Sequence, residues 1–351
     1  MKEIAEKLIK WYEENQRQLP WRKEPTPYHV WISEIMLQQT RIEAVKKYYE
    51  TFMKELPTIE SLAKVDEEKL LKLWEGLGYY SRARNLKKAA ILVQEKYEGK
   101  MPSSYSELLQ LPGIGEYTAG AIASICFQEQ VPAIDGNVLR VVARLTANSQ
   151  DILLPQVKKQ ITNQVKQILP KQAGKFNQAI MELGETICIP KGNINCNECP
   201  IREYCKAYSK QLTSQIPVRN PKVKKKTEEK TVCLLYYQNQ IAIRKRKEKG
   251  LLQQMYEFPN IPKLESMSSI EEQIQNWGLQ LQSIQEIGKV SHIFTHRIWN
   301  MDCYIAKVKS KNTEFIWVEE QELMQKYALP TVFSKILQRK EETKLCDIQK
   351  I

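Results

Sequence analysis

The most specific chemistry in this chain is carried by four cysteines. Cys188, Cys196, Cys199 and Cys205 follow one another as Cys-x7-Cys-x2-Cys-x5-Cys. Thiolates are soft ligands, and four at such spacing suit either zinc or an iron–sulfur cluster. Zinc ribbons usually pair two Cys-x2-Cys knuckles. One close pair with two wider ligands favours a cubane cluster and leaves zinc open. Cys126, Cys233, Cys303 and Cys346 are scattered and read as buried or incidental.

Two carboxylates suit glycosidic chemistry. Glu34 lies in Trp31-Ile-Ser-Glu-Ile-Met-Leu-Gln-Gln-Thr40. On a helix its neighbours three and four residues away are Val30, Trp31, Leu37 and Gln38. Three of these are apolar, so burial would raise its pKa toward that of a general acid working near neutrality. The plainer alternative is an exposed glutamate at the edge of an apolar stripe. Asp135 precedes Gly136-Asn137 at a helix start, where aspartate is a common N-cap. A carboxylate held by N–H bonds also stays ionised. One protonated and one ionised carboxyl is the pair that cleavage of a glycosidic bond needs. A third motif, Leu111-Pro112-Gly113-Ile114-Gly115, separates two helical stretches, the second starting near Tyr117. Its glycines allow a tight turn, and the free N–H groups beyond it could meet a phosphate oxygen. A simple helix–helix turn is the alternative.

These groups need elements to hold them. Up to about Lys210, apolar residues recur at helical spacing: Ile4, Leu8 and Trp11; Ile42, Val45 and Tyr49; Val138, Val141, Val142 and Leu145. Turn signals at Pro20, Pro25-Thr26-Pro27, Gly76-Leu77-Gly78, Pro112-Gly113 and Asp135-Gly136-Asn137 break these runs, so this half is expected to be mainly α. Between 211 and 230 the periodicity stops, and Ile216-Pro-Val-Arg-Asn-Pro-Lys-Val-Lys-Lys-Lys226 reads as a basic, extended linker. From Thr231 strand signals appear over Thr231–Tyr237, Gln240–Arg244, His292–Lys307 and Glu314–Val318, with one helix over Ile270–Trp277. That pattern predicts a smaller α+β domain over 231–338, followed by a polar, disordered tail over 339–351.

Length and charge bound the function. The 351 residues suggest about two domains. With 42% hydrophobic and 27% charged residues the chain reads as an ordinary globular protein. The net charge of +12 suits a polyanion, and an anionic membrane surface almost as well. No apolar run is long enough for a bilayer span, and Met1–Lys10 does not read as a signal peptide. A cytoplasmic location, nucleoid-associated in a bacterium, and free cysteines are the corresponding expectations.

The ordered motifs resemble the MutY family of adenine-specific mismatch DNA glycosylases, in the helix-hairpin-helix superfamily that includes endonuclease III. They are Trp21-Arg22, Ser33–Thr40, Trp74-Glu-Gly-Leu-Gly-Tyr-Tyr80, Leu111–Gly115, Ile134-Asp-Gly-Asn-Val138, Phe176-Asn-Gln-Ala179, the four cysteines, Tyr256-Glu-Phe-Pro259 and His292-Ile-Phe-Thr-His296. The resemblance implies a mainly α catalytic region over 1–210. Within it, a six-helix module covers 26–130, and 1–25 joins 131–210 in an iron–sulfur module. A Nudix-like domain that recognises 8-oxoguanine follows. It implies that Glu34 protonates a flipped adenine at N7 and that Asp135 stabilises an oxocarbenium-like or transiently covalent sugar, with Tyr117 and Asn137 as companions. Trp21, Arg22, Leu37, Gln178 and Met181 match the adenine pocket. Gln39 and Tyr79 match residues that fill the duplex gap, with Thr40 and Leu77 beside the orphaned base. Phe294, Thr295 and His296, with His292 before them, match the loop that reads 8-oxoguanine. The cysteines would hold one 4Fe-4S cluster that places Lys191 and Arg202 near phosphates. A monovalent or divalent cation could sit at the hairpin. No nucleotide cofactor is implied, and the partner would be duplex DNA with adenine opposite 8-oxoguanine or guanine, bound by a monomer away from membranes.

Tyr117 stands where the lyase branch has a nucleophilic lysine, and a phenol forms no Schiff base, so base removal without efficient strand cleavage is expected. The chain departs from the family in a first cysteine gap of seven rather than six residues and in Thr295 where serine is usual. The stretch Ser268–Leu279 lacks the acidic pattern that holds magnesium in Nudix hydrolases. Only Glu271 and Glu272 are present, so the domain is expected to bind rather than hydrolyse. The alternatives are an endonuclease III-type glycosylase for another base, and a non-catalytic DNA-binding protein stapled by a metal.

Overall fold

The computed structural model describes residues 2–220, 225–247 and 250–348. The chain forms two compact units: residues 1–65 with 84–221, and residues 66–83 with 222–351. Residues 66–83, which the sequence reading places inside a 26–130 module, thus group with the C-terminal residues.

The first unit is helical. The N-terminal helix Lys2–Asn15 buries Ile4, Leu8 and Tyr12 in one core with Val138, Val142, Phe176, Ile180 and Leu183 of the helices Gly136–Thr146 and Ala173–Thr186. Cys188, Cys199 and Cys205 pack against this core. Thr26 caps the helix Pro27–Leu37 by accepting from the His29 N–H at 3.3 Å, and Pro27 presets its first turn. Asp135 caps Gly136–Thr146, accepting from the Val138 N–H at 2.8 Å. The hairpin Leu111–Gly115 joins the helices Tyr105–Leu108 and Glu116–Phe127, with Leu111 and Ile114 buried. Gly113 has φ +81°, and a Cβ there would stand 2.7 Å from the Asn85 Cβ, so both conformation and space select glycine.

The second unit is a mixed seven-stranded sheet: β1 (Lys226–Tyr237), β2 (Gln240–Lys245), β3 (Tyr256–Glu257), β4 (Asn260–Pro262), β5 (Leu281–Ile293), β6 (Arg297–Val308) and β7 (Ile316–Glu319). The order is β3-β2-β1-β6-β5, with β4 on β1 and β7 on β2. β1 and β6 run parallel, and the other pairs are antiparallel. Alternate residues of β1 feed two cores. Val232 and Leu234 pack with Phe333 and Ile336 of the helix Thr331–Ile348, while Cys233 and Leu235 pack with Ile270 and Ile274 of the helix Met267–Asn276.

Four expectations change. The run His292–Lys307 is not one strand: β5 ends at Ile293, β6 begins at Arg297, and the Phe294 N–H donates to the Arg297 carbonyl across the turn. β5 itself escaped notice because it is polar and pairs only with β6 at the sheet edge. The linker is pinned at both ends. Ile216 is buried, Val218 bridges Asp151, the Asn220 N–H donates to Asp151, and Lys226–Lys230 is already strand; residues 221–224 lie outside the described residues. The expected tail is helical through Ile348, with Lys340 buried against Tyr236 and Glu320, while 349–351 lie outside the described residues. Among the described residues no helix is long and apolar enough to cross a membrane.

Candidate active site

A cleft of about 670 Å³ opens in the helical unit. Its walls combine side chains from five stretches of sequence: Trp21 and Arg22, Glu34 with Leu37 to Thr40, Tyr117, Asp135 to Asn137, and Gln178 with Met181. Glu34 sits on the buried helix Pro27–Leu37 and is only 8% exposed. Burial raises its carboxyl, the nearby charge of Asp135 adds to that, and the Tyr117 hydroxyl and Arg22 oppose it, leaving it at about 7. The Tyr117 hydroxyl donates to Glu34 Oε2 at 2.5 Å and lies 3.3 Å from Met181 Sδ. Burial first, and then the charge of Glu34, hold Tyr117 well above the usual phenol range.

Asp135 takes two hydrogen bonds. It accepts from the Val138 N–H at 2.8 Å and from Asn137 Nδ2 at 2.8 Å. Those bonds favour the ionised form, yet burial outweighs them and raises its carboxyl above the usual value. Asn137 also donates to Glu185 at 2.8 Å and accepts from Arg140 at 2.8 Å.

Several residues of the site went unnoticed in the sequence. Glu182 is buried under the cleft floor, gripped by Arg17 at 2.5 Å and Arg22 at 2.8 Å. Burial alone would raise its carboxyl, and the two guanidinium groups hold it below the usual value instead. Tyr12 donates to Gln178 Oε1 at 3.0 Å. Gln178, Glu182 and Glu185 share one helix face at four- and three-residue spacing, and that period was the available signal.

The cysteine loop is tied to the helix that Asp135 caps, Gly136–Thr146. The Cys188 carbonyl accepts from Arg140 at 2.8 Å and from Arg144 at 3.1 Å, and Arg144 also lies 3.1 Å from Cys188 Sγ. All four motif cysteines are free thiols, half-buried, and close enough that the charge of Cys188 acts on the other three. Among the described residues no group of three or more His, Cys, Asp or Glu side chains is gathered tightly enough for a single metal ion. In a cubane each thiolate meets its own iron, so the donor set still fits a cluster. Lys191 and Arg202 are exposed nearby in sequence, Arg202 stacked over the Tyr208 ring at 5.7 Å.

The remaining expected residues lie in the other unit. Tyr79 is 44% exposed on a turn with left-handed φ at Gly76, Gly78 and Tyr79. Its hydroxyl lies 2.6 Å from Thr295 Oγ1. Leu77 is buried, and its carbonyl and that of Gly78 accept from Arg82 at 3.0 and 3.1 Å. His292 stacks edge-on with Phe294 at 4.5 Å, while His296 is exposed. Glu271 is half-buried and Glu272 exposed on the helix Met267–Asn276.

Comparison with known proteins adds to this geometry. Residues 32–171 match the model of the HhH-GPD superfamily of base excision DNA repair proteins, and residues 231–339 match a NUDIX domain. An adenine DNA glycosylase of Buchnera aphidicola subsp. Baizongia pistaciae is 35% identical over 94% of this chain and 94% of its own. That of Buchnera aphidicola subsp. Acyrthosiphon pisum is 34% identical over 95% and 97%. The human adenine DNA glycosylase is 32% identical over 82% of this chain and 64% of its own. Among solved structures, a thermostable thymine-DNA glycosylase superposes with a TM-score of 0.54 at 27% identity, covering 60% of this chain and 96% of that one. A non-covalent endonuclease III–DNA complex superposes with a TM-score of 0.51 at 23% identity over 60% and 98%, a likeness of fold.

Proposed function

The chain belongs to the adenine DNA glycosylase family, and from that premise we propose that it removes adenine opposite 8-oxoguanine, and secondarily opposite guanine, by hydrolysing the N-glycosidic bond of a base extruded into the cleft. It is a base-excision-repair glycosylase acting on adenine, and its substrate is DNA. The observation that carries the mechanism is the pairing of Glu34, buried and half-protonated near neutrality, with Asp135, ringed by donors. Glu34 hands its proton to the adenine N7, and Tyr117 keeps that carboxyl aimed. As the N-glycosidic bond breaks and its electron pair leaves with the protonated adenine, Asp135 faces the positive charge on the sugar, by electrostatics or a transient bond, and water then adds at the sugar carbon, losing its proton and freeing Asp135. Asn137 fixes its second oxygen. Trp21, Arg22, Leu37, Gln178 and Met181 hold the extruded base.

Gln39, Thr40, Leu77 and Tyr79 act on the opened duplex, and the Phe294–His296 turn reads the opposite base. The hairpin Leu111–Gly115 meets a phosphate, with or without a cation. Cys188, Cys196, Cys199 and Cys205 hold a 4Fe-4S cluster, which when bound cross-links the loop beside Lys191 and Arg202. The C-terminal sheet reads rather than hydrolyses, since Glu271 and Glu272 are the only acids on the helix Met267–Asn276, in the stretch where Nudix hydrolases hold magnesium. The protein works as a monomer in the cytoplasm.

The test uses duplexes with adenine opposite 8-oxoguanine, guanine, thymine or cytosine and excess protein, followed by alkali. Alkali-dependent cleavage at the adenine opposite 8-oxoguanine is expected. Cleavage without alkali would refute the reading of Tyr117, and no cleavage despite binding would refute the glycosylase mechanism.

A further inference from the structure

Residues 66–83 hold the C-terminal sheet domain through main-chain bonds. Glu75 lies just beyond the helix Glu67–Leu73. Its Oε1 accepts from the Leu329 N–H at 2.8 Å, and its Oε2 accepts from Lys72 Nζ at 2.5 Å. Lys72 Nζ also donates to the Tyr327 carbonyl at 3.1 Å. One ion pair thus takes a donor and an acceptor from the turn between the helices Glu320–Lys326 and Thr331–Ile348. Side-chain exposures of 22% and 26% remove it from the class of fully solvated pairs that contribute almost nothing. A second hold lies alongside: Glu68 accepts from the Tyr256 hydroxyl at 2.6 Å and from Lys245 at 3.2 Å, and the Tyr256 ring meets Tyr327 edge-on at 4.7 Å.

Four residues after Glu75 the same segment presents Tyr79 to Thr295. The chain between them has little freedom. Trp74 Nε1 donates to the Gly78 carbonyl at 3.1 Å, and Arg82 grips the Leu77 and Gly78 carbonyls while its guanidinium lies over the Trp74 and Tyr79 rings. On the other side the Phe294 N–H closes the turn onto Arg297. A displacement at Glu75 is therefore carried to Tyr79 rather than absorbed.

We infer that Glu75 is a positioning residue for reading the base opposite adenine: its grip on the 327–329 main chain sets Tyr79 against Thr295 and so sets the preference for 8-oxoguanine over guanine. This rests on the lesion-reading role proposed above for the Phe294–His296 turn.

The experiment measures single-turnover excision of adenine opposite 8-oxoguanine and opposite guanine, with the full chain and with Glu75→Ala, Glu75→Gln, Thr295→Val and the Glu75→Ala/Thr295→Val double variant. The preference ratio falls about tenfold in Glu75→Ala, the size expected for losing a charge-assisted hydrogen bond. It falls less in Glu75→Gln, whose amide oxygen still accepts from Leu329. Excision opposite guanine stays within about twofold, which also reports an intact fold, and the double variant falls no further than Thr295→Val alone. The inference is overturned if Glu75→Ala keeps the full ratio, if excision drops equally opposite both bases, or if the two losses multiply. A wild-type chain with no preference would instead sink the lesion-reading role, and this inference with it.

Discussion

The adenine cleft and the Tyr79–Thr295 surface solve opposite problems. In the cleft the working groups are buried or half-buried on or beside helices, and each meets a charged or polar side chain: Glu34 with Tyr117, Asp135 with Asn137, Arg22 with Glu182. Burial there changes proton affinity, which is what bond cleavage needs. On the reading surface Tyr79 is exposed on a strained turn whose carbonyls at Leu77 and Gly78 are gripped by Arg82, and its hydroxyl meets the neutral hydroxyl of Thr295. Position, not proton affinity, is set there. A chemical centre is therefore expected to respond to pH and to charge-conserving shape changes differently from a reading centre, which should respond to geometry alone.

The largest expected break between the two is Glu34→Gln. The amide keeps the shape and cannot donate a proton as a carboxylic acid does. Excision opposite 8-oxoguanine and opposite guanine should fall together by about 10²–10⁴-fold in single turnover, with duplex affinity retained. Loss of binding instead of rate would move Glu34 from chemistry to recognition. The same variant probes stability with a definite sign. The carboxyl of Glu34 rises from 4.5 to about 7 on folding, so its burial costs nothing below pH 4.5. It costs progressively more up to about pH 7, on the order of 3 kcal/mol. Glu34→Gln should thus melt higher than wild type above pH 7, and the gain should shrink toward pH 5. An equal gain at every pH would mean the burial of charge is not the source.

The cleft was also the more legible of the two regions. Val30, Trp31 and Leu37 around Glu34 announce burial through ordinary helical spacing, and Asp135-Gly136-Asn137 announces a capped helix. Both are local signals. The floor of the cleft was not legible, because Arg17 and Glu182 find each other across 165 residues and each looks like a solvated charge in sequence. In the second unit, β1 and β2 carry continuous apolar, β-prone runs, but β5 is largely polar and gains its place by pairing with β6. The turn at 294–296 has no glycine, proline or asparagine to mark it. Nothing local in Glu68, Lys72 or Glu75 tells that their partners lie beyond residue 240.

The reading surface should fail in its own way. Thr295→Val keeps volume and β-branching and deletes the hydroxyl that meets Tyr79. The preference for 8-oxoguanine over guanine should drop by about tenfold, with no shift in the pH dependence of excision. Thr295→Ser keeps the hydroxyl and should retain most of the preference. A pH midpoint that moved with Thr295→Val would show the two centres to be electrostatically coupled and would erase the contrast between them.

The smallest effect sharpens the contrast from the cleft side. Excision requires protonated Glu34, so its rate should fall as pH rises through about 7. The Tyr117 hydroxyl donates to Glu34 and opposes the effect of burial, pulling that carboxyl down. In Tyr117→Phe the ring remains and the donor is gone, so the carboxyl rises further and the alkaline fall in rate moves to higher pH, by less than about one unit. The charge of Asp135 acts in the opposite sense, raising Glu34. Asp135→Asn should therefore lower the Glu34 titration midpoint, read by carboxyl carbon resonance because excision itself is lost. Shifts of opposite sign in the two variants are what a proton-tuned pair requires. Shifts of the same sign would mean that desolvation alone, and not the two partners, sets the acid.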